Sequence, residues 1–165
     1  MKYILSLEKE SDNIKLLPEV FKKFEGRSLL ISFIQESRKL EEVFDVEDFI
    51  IYDASDFLLG IADFEKVVTE IDDYMDIVPS TYKKKIEEID IEAFDFEDLS
   101  KYNNIFIILD KQTKYKNQKS EIDLFKGLEK FSNDEEKAEI IYNNILGIEV
   151  KTKFFDKIKR IIGIK

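Results

Sequence analysis

The chain has no cysteine and no histidine, and only 5 glycines and 2 prolines among its 165 residues. Without thiol or imidazole it has no Cys or His metal site, no thiol catalysis and no catalytic triad that uses histidine. It also lacks any apolar run long enough to span a bilayer. Met1-Lys2 is followed by only five mostly apolar residues before Glu8, which is too short for a secretory leader, and a cytoplasmic protein is expected.

What is present is core material and acid. Hydrophobic residues make up 44% and charged residues 38%, a balance that suits a folded domain rather than a disordered chain. The charge is unevenly spread. Lys151–Lys165 holds six Lys/Arg against one acid, Asp156, a net of +5. The whole chain carries −10, which leaves −15 on residues 1–150. Such an acidic body excludes nucleic acid as a partner, because phosphate binding needs a basic face. The division reads as an α/β domain over 1–150 and a basic tail over 151–165.

In that tail Phe154, Phe155, Ile158, Ile161 and Ile162 recur at helical spacing, flanked by Lys153, Lys157, Lys159 and Arg160. A basic amphipathic helix of this kind serves a membrane surface or a protein target. The competing use is a last helix packed on its own domain. The charge contrast favours an anionic membrane, and these nine residues are the expected membrane-binding set.

Along the body, Lys2–Leu7, Ser28–Ile34, Tyr74–Val78 (stopped by Pro79) and Asn104–Asp110 read as strands. Helices are expected over Asn13–Glu25 with a stop at Gly26, and over Arg38–Phe44, Ile50–Leu59, Phe64–Ile71 and Tyr82–Ile89. A further helix is expected over Asp134–Leu146, capped by Asn133 or Ser132. Lys111–Ser120 reads as a loop. Strands alternating with helices imply a three-layer α/β fold with a parallel sheet between helical layers. The acidic runs Glu41-Glu42-Asp45-Glu47-Asp48, Asp72-Asp73-Asp76 and Glu87–Asp98 lack calcium-loop spacing and read as a solvated face, as does Lys83-Lys84-Lys85.

Ordered motifs then point to a family. Arg38–Gly60 (RKLEEVFDVEDFIIYDASDFLLG), Ile77–Thr81 (IVPST), Tyr102–Asp110 (YNNIFIILD), Glu136–Val150 (EKAEIIYNNILGIEV) and Lys153–Gly163 (KFFDKIKRIIG) resemble, in order, segments of the MinD/ParA family of membrane-cycling ATPases. The resemblance implies a reduced P-loop-NTPase-like fold with Asp110 at the Walker B place. It also implies an amphipathic membrane helix at the end and a place in septum-site determination or polar positioning. The departures are specific. Where the family's glycine-rich phosphate loop belongs, this chain has Glu8–Leu17 (EKESDNIKLL), with no glycine to bring backbone amides to a phosphate. Lys9 and Lys15 stand one residue too far apart to match the family's two lysines, and Leu16 replaces the magnesium-binding hydroxyl. Ser32 and Ile34 fall where the family carries Asp-x-Asp. The block after the Walker B strand is missing.

The expected protein is therefore a shortened pseudo-ATPase with no cofactor, no metal and no catalytic residues. It would be peripheral at the inner face of the cell membrane, an adaptor for another protein of the division or positioning machinery, with homo-oligomers possible through an uncovered sheet edge. Two alternatives stay open: an active nucleotide switch with a remodelled loop, and a soluble interaction domain with the tail packed in cis.

Overall fold

The structure, a computed structural model, describes residues 1–147. The nine tail residues Lys153, Phe154, Phe155, Lys157, Ile158, Lys159, Arg160, Ile161 and Ile162, and the proposed boundary at 150/151, lie outside the described residues.

Four apolar runs form the centre of the sheet: β1 (Lys2–Leu7), β2 (Ser28–Ser32), β4 (Met75–Val78) and β6 (Asn104–Asp110). They are mutually parallel in the order β4-β2-β6-β1, with Ile4 opposite Ile107 and Leu30 opposite both Phe106 and Ile77. Successive side chains alternate between faces, and the runs are mostly apolar on both because both faces are covered. On the first face Leu5, Leu7, Leu30, Ile77, Phe106 and Ile108 share one core. It is covered by α1 (Leu17–Phe21) and α5 (Asp134–Leu146). On the second, Leu29, Ile31, Val78, Ile107 and Leu109 form another core. It is covered by α3 (Ala54–Leu58), α4 (Phe64–Val67) and a 3-10 turn over Ile91–Phe94. The three-layer α/β expectation holds.

Both edges carry additions. β3 (Thr69–Asp72) returns antiparallel onto β4, which makes the sheet mixed. The expected helix to Ile71 therefore ends at Val67. Its pattern Phe64, Val67, Val68, Ile71 suits a helix, but the chain turns back at Asp72, whose carboxylate accepts the Tyr74 amide at 2.7 Å, and pairing with β4 prevails. At the other edge β8 (Ile122–Asp123) lies parallel to β1 at Leu5 and Ser6. Part of the edge expected to be bare is thus paired.

Two other expected helices are shorter or absent. The first covering segment is a 3-10 turn (Asp12–Leu16) followed by α1, with Pro18 in the first helical turn where its missing N–H costs nothing. Tyr82–Ile89 is not helical. It leads into β5 (Glu88–Asp90), which pairs with β7 (Lys114–Lys116) from the expected loop. The remaining helix, α2 (Lys39–Val43), follows β2. α5 starts where expected, with Asn133 Oδ1 accepting the Glu135 and Glu136 amides at 2.9 and 3.2 Å.

Gly26 is required by its surroundings. Its φ is +84°, and a Cβ there would stand 2.3 Å from Asn103 Oδ1, the oxygen that accepts the Arg27 amide at 2.8 Å.

Candidate functional site at the carboxyl ends of the strands

Parallel α/β sheets place their ligand sites outside the carboxyl ends of the strands, where the following loops diverge. In this chain that end gathers Lys9 after β1, Gln35 and Arg38 after β2, Ser80 and Thr81 after β4, and Asp110 closing β6.

Asp110 is buried and fully engaged. Its carboxylate accepts the amides of Gln35 (2.9 Å), Gln112 (2.9 Å) and Thr113 (2.7 Å), and the Thr113 hydroxyl (2.8 Å). It holds the turn that follows its strand and ties that turn to the loop after β2. The Tyr115 hydroxyl accepts the Asp110 amide at 3.0 Å, and burial and then the nearby carboxylate push the Tyr115 phenol up. Ser32 is paired hydroxyl to hydroxyl with Ser80 at 2.6 Å, and Ile34 is in the core. Among the described residues no group of three or more acids is placed to hold a metal ion.

The glycine-free loop is occupied by its own contacts. Ser11 caps the 3-10 turn through the Asn13 amide. Lys9 donates to the Gln35 carbonyl at 3.1 Å and stands 3.9 Å from Glu36. Lys15 faces Asp134 at 3.6 Å, and Lys39 donates to the Glu10 carbonyl at 3.0 Å. Lys9 and Lys15 thus serve different partners.

Beside this lies a buried charge cluster. Glu41, Asp53 and Asp56 are all buried, and of the acidic runs expected to be solvated Glu41 and Asp76 depart from that expectation. Asp53 caps α3, with a reciprocal bond from its own amide to Asp56 at 2.9 Å. Its carboxylate accepts from the Ser55 amide and hydroxyl, from Arg38 at 3.0 Å, and from the amides of Tyr82 (3.2 Å) and Lys83 (3.0 Å). Burial alone would raise its pKa. The Ser55 hydroxyl, the Lys83 amide and Arg38 overcome that and hold it below the ordinary carboxylate range. Gln35 fixes the next stretch by pairing with both the amide and the carbonyl of Ile86, each at 2.8 Å. Lys83 and Lys84 reach Asp56 at 3.6 and 3.9 Å, so two residues of the lysine run are ion-paired while about half exposed.

Glu41 is the exception. One oxygen accepts the Ser80 amide and stands 3.7 Å from Arg38, while the other has no hydrogen-bond partner. Burial pushes its pKa up against the Ser80 bonds and Arg38.

At the opposite end of the sheet Arg27 grips Asp76 through both carboxylate oxygens, at 3.0 and 2.9 Å, and the Tyr102 hydroxyl donates to the same carboxylate at 2.6 Å. Tyr102 is nearly covered, while Tyr74 is 70% exposed. Chemically, both clusters close loops over the sheet. Among the described residues neither presents a nucleophile paired with a free base.

No family model matches the chain, and no curated protein matches it. Two solved structures resemble it in backbone form. One is the MinC:MinD cell division protein complex of Aquifex aeolicus, at 18% identity and a TM-score of 0.49. The other is the MinD cell division protein of Aquifex aeolicus, at 19% identity and a TM-score of 0.47. Each likeness covers 73% of this chain and 50% of the other, so the chain spans about half the length of these proteins. Neither likeness speaks to activity.

Proposed function

We propose that the chain is a non-catalytic, MinD-like pseudo-ATPase that attaches to an anionic membrane surface through Lys153–Ile162. There it acts as an adaptor for another protein of the division or polar-positioning machinery. The observation that carries the non-catalytic reading is Asp110, whose carboxylate is occupied by four donors of its own chain beside a loop without glycine. The membrane reading rests on the tail's sequence and its +5 charge, and the division role on the ordered motif resemblance. Basic residues near an anionic surface contribute about 1 kcal/mol each. The acidic body opposes attachment, with screening beyond ~8–10 Å, so one copy should bind weakly and reversibly.

Vesicle co-sedimentation of the full chain, with and without Mg-ATP, tests this. Anionic vesicles should pull down the protein equally in both conditions. Replacing Phe155 and Ile158 with Glu should abolish pull-down without unfolding the body. Titration calorimetry should find no Mg-ATP site tighter than roughly 0.1 mM, about −5.5 kcal/mol. An ATP site of that strength, or ATP-dependent pull-down, overturns the pseudo-ATPase reading. A destabilised variant together with no lipid binding overturns the membrane reading.

A further inference from the structure

On the second face of the sheet, α3, the turn at Gly60, the start of α4 and the turn after Phe94 leave an apolar groove of about 500 Å³. Phe57, Leu58, Ile61, Ala62, Ala93 and Phe96 line it. The floor is a ring stack that runs out of the core: Phe94 lies on Phe57 at 4.1 Å, and Phe57 on Phe96 at 5.7 Å. The stack ends with Phe96 74% exposed, beside Ile61 at 51%. The flanks are acidic. Asp63 lines the groove, Glu65 follows it, and Asp95 and Glu97 bracket Phe96, against two lysines, Lys66 and Lys2, the second paired with Asp95.

The described chain ends on the other face of the sheet from this groove. The last turns of α5 pack on the first face, with Tyr142 against Phe24 at 4.9 Å and Phe24 against Tyr3 at 5.8 Å. Tyr3 and Lys2 point to opposite faces of β1, and Lys2 bonds Asp95 at 2.7 Å, next to Phe96. The way from Gly147 to the groove therefore leads past the start of β1. Residues 148–153 reach about 20 Å when extended. Residues 154–165, which follow, have six large apolar residues and a net of +3, the complement of an apolar groove with acidic flanks.

We propose that this groove is the cis docking site of the chain's own C-terminal segment, residues 151–165, which covers Phe96 and Ile61 and sets its bases against Asp63, Glu65 and Glu97. Docking requires nothing of the membrane. Its consequence, that a docked segment is withheld from a lipid surface and released by a competitor, rests on the membrane reading.

Limited trypsin digestion of the full chain, followed by mass spectrometry, reads docking directly. Cleavage after Lys153, Lys157, Lys159 and Arg160 should be slower than cleavage in the exposed stretch Lys116–Lys119, and independent of protein concentration. The double variant Phe96→Ser/Ile61→Ser should speed tail cleavage about ten-fold, as local opening becomes frequent, and high salt should speed it in the wild type. The rim variant Asp63→Lys/Glu65→Lys, which leaves the apolar wall intact, should act in the same direction and guards against misfolding of the first. Equal tail cleavage in the wild type and the rim variant overturns the proposal, and protection that grows with concentration overturns its cis form. In parallel, phosphatidylglycerol vesicles should bind the groove variant more tightly than the wild type. Faster cleavage without vesicle binding by either protein sustains docking and defeats the membrane reading instead.

Discussion

Two buried carboxylates, Asp53 and Glu41, lie on either side of Arg38 and meet opposite fates. Both are fully covered. Asp53 is the meeting point of three loops and receives five donors, one of them the guanidinium at 3.0 Å. Glu41 receives one amide, stands 3.7 Å from the same guanidinium and leaves one oxygen bare. Burial penalises the charged form of each. Glu41 lies deeper and has fewer donors to replace water, and the two together decide the sign. Asp53 ends below its ordinary pKa and Glu41 above it. One buried acid is thus a clasp and the other a strain.

The sharpest way to break this contrast is Asp53→Ala. It strips the α3 cap, frees the Tyr82 and Lys83 amides and leaves Arg38 without its closest carboxylate. Removing one partner of a buried pair typically costs about 3–5 kcal/mol, a large share of the ~5–15 kcal/mol that holds a domain of this size together. Urea unfolding followed by circular dichroism should show that loss. A change below about 1 kcal/mol would mean that the three loops are held by something other than Asp53.

A smaller effect is expected for Arg38→Met. Asp53 keeps its four neutral donors, so the loss is its charged hydrogen bond, about 1.5–3 kcal/mol, together with the bond from Arg38 to the Ser80 carbonyl at 3.1 Å and the contact of the guanidinium over the Tyr82 ring at 4.9 Å. Since the two residues share one interaction, the double variant with Asp53→Ala should cost less than the separate losses together. Full additivity would separate Arg38 from Asp53.

Little of this cluster is legible in the sequence, and the reason is distance along the chain. Arg38, Asp53 and Lys83 meet only after the sheet has formed, and Glu41 stands in a run of acids that reads as solvated. The same distance hides the non-helical stretch after Tyr82, where the amide and carbonyl of Ile86 are claimed by Gln35, 51 positions earlier. The sheet is legible for the opposite reason. KYILSL, SLLIS, MDIV and NIFIILD are each apolar on both faces, a local pattern that only a doubly covered strand explains. α5 is legible from its cap, because Asn133 acts on amides two and three residues ahead. β3 is not, because a period of 3.6 and a pairing with the next strand compete for the same four residues, and pairing is decided by β4.

The smallest expected effect, Glu41→Gln, tests the sign of the contrast. Glutamine keeps an oxygen for the Ser80 amide and removes the charge that burial disfavours. Because the folded pKa of Glu41 lies above its unfolded value of ~4.3, its contribution to stability is fully present below pH ~4.3 and is lost as pH rises through the folded value. The wild type should therefore be less stable than the variant at neutral pH, by up to about 1 kcal/mol, and the gap should close in acid. Asp53 runs the other way. Its folded pKa is depressed, so its contribution is present above its unfolded value of ~3.9 and is lost as pH falls through the folded one. Unfolding curves at pH 7 and pH 4 separate the two acids. A Glu41→Gln protein that is clearly weaker at pH 7 would show that Arg38 compensates Glu41 at 3.7 Å as it does Asp53 at 3.0 Å, and that donor number is not what divides them.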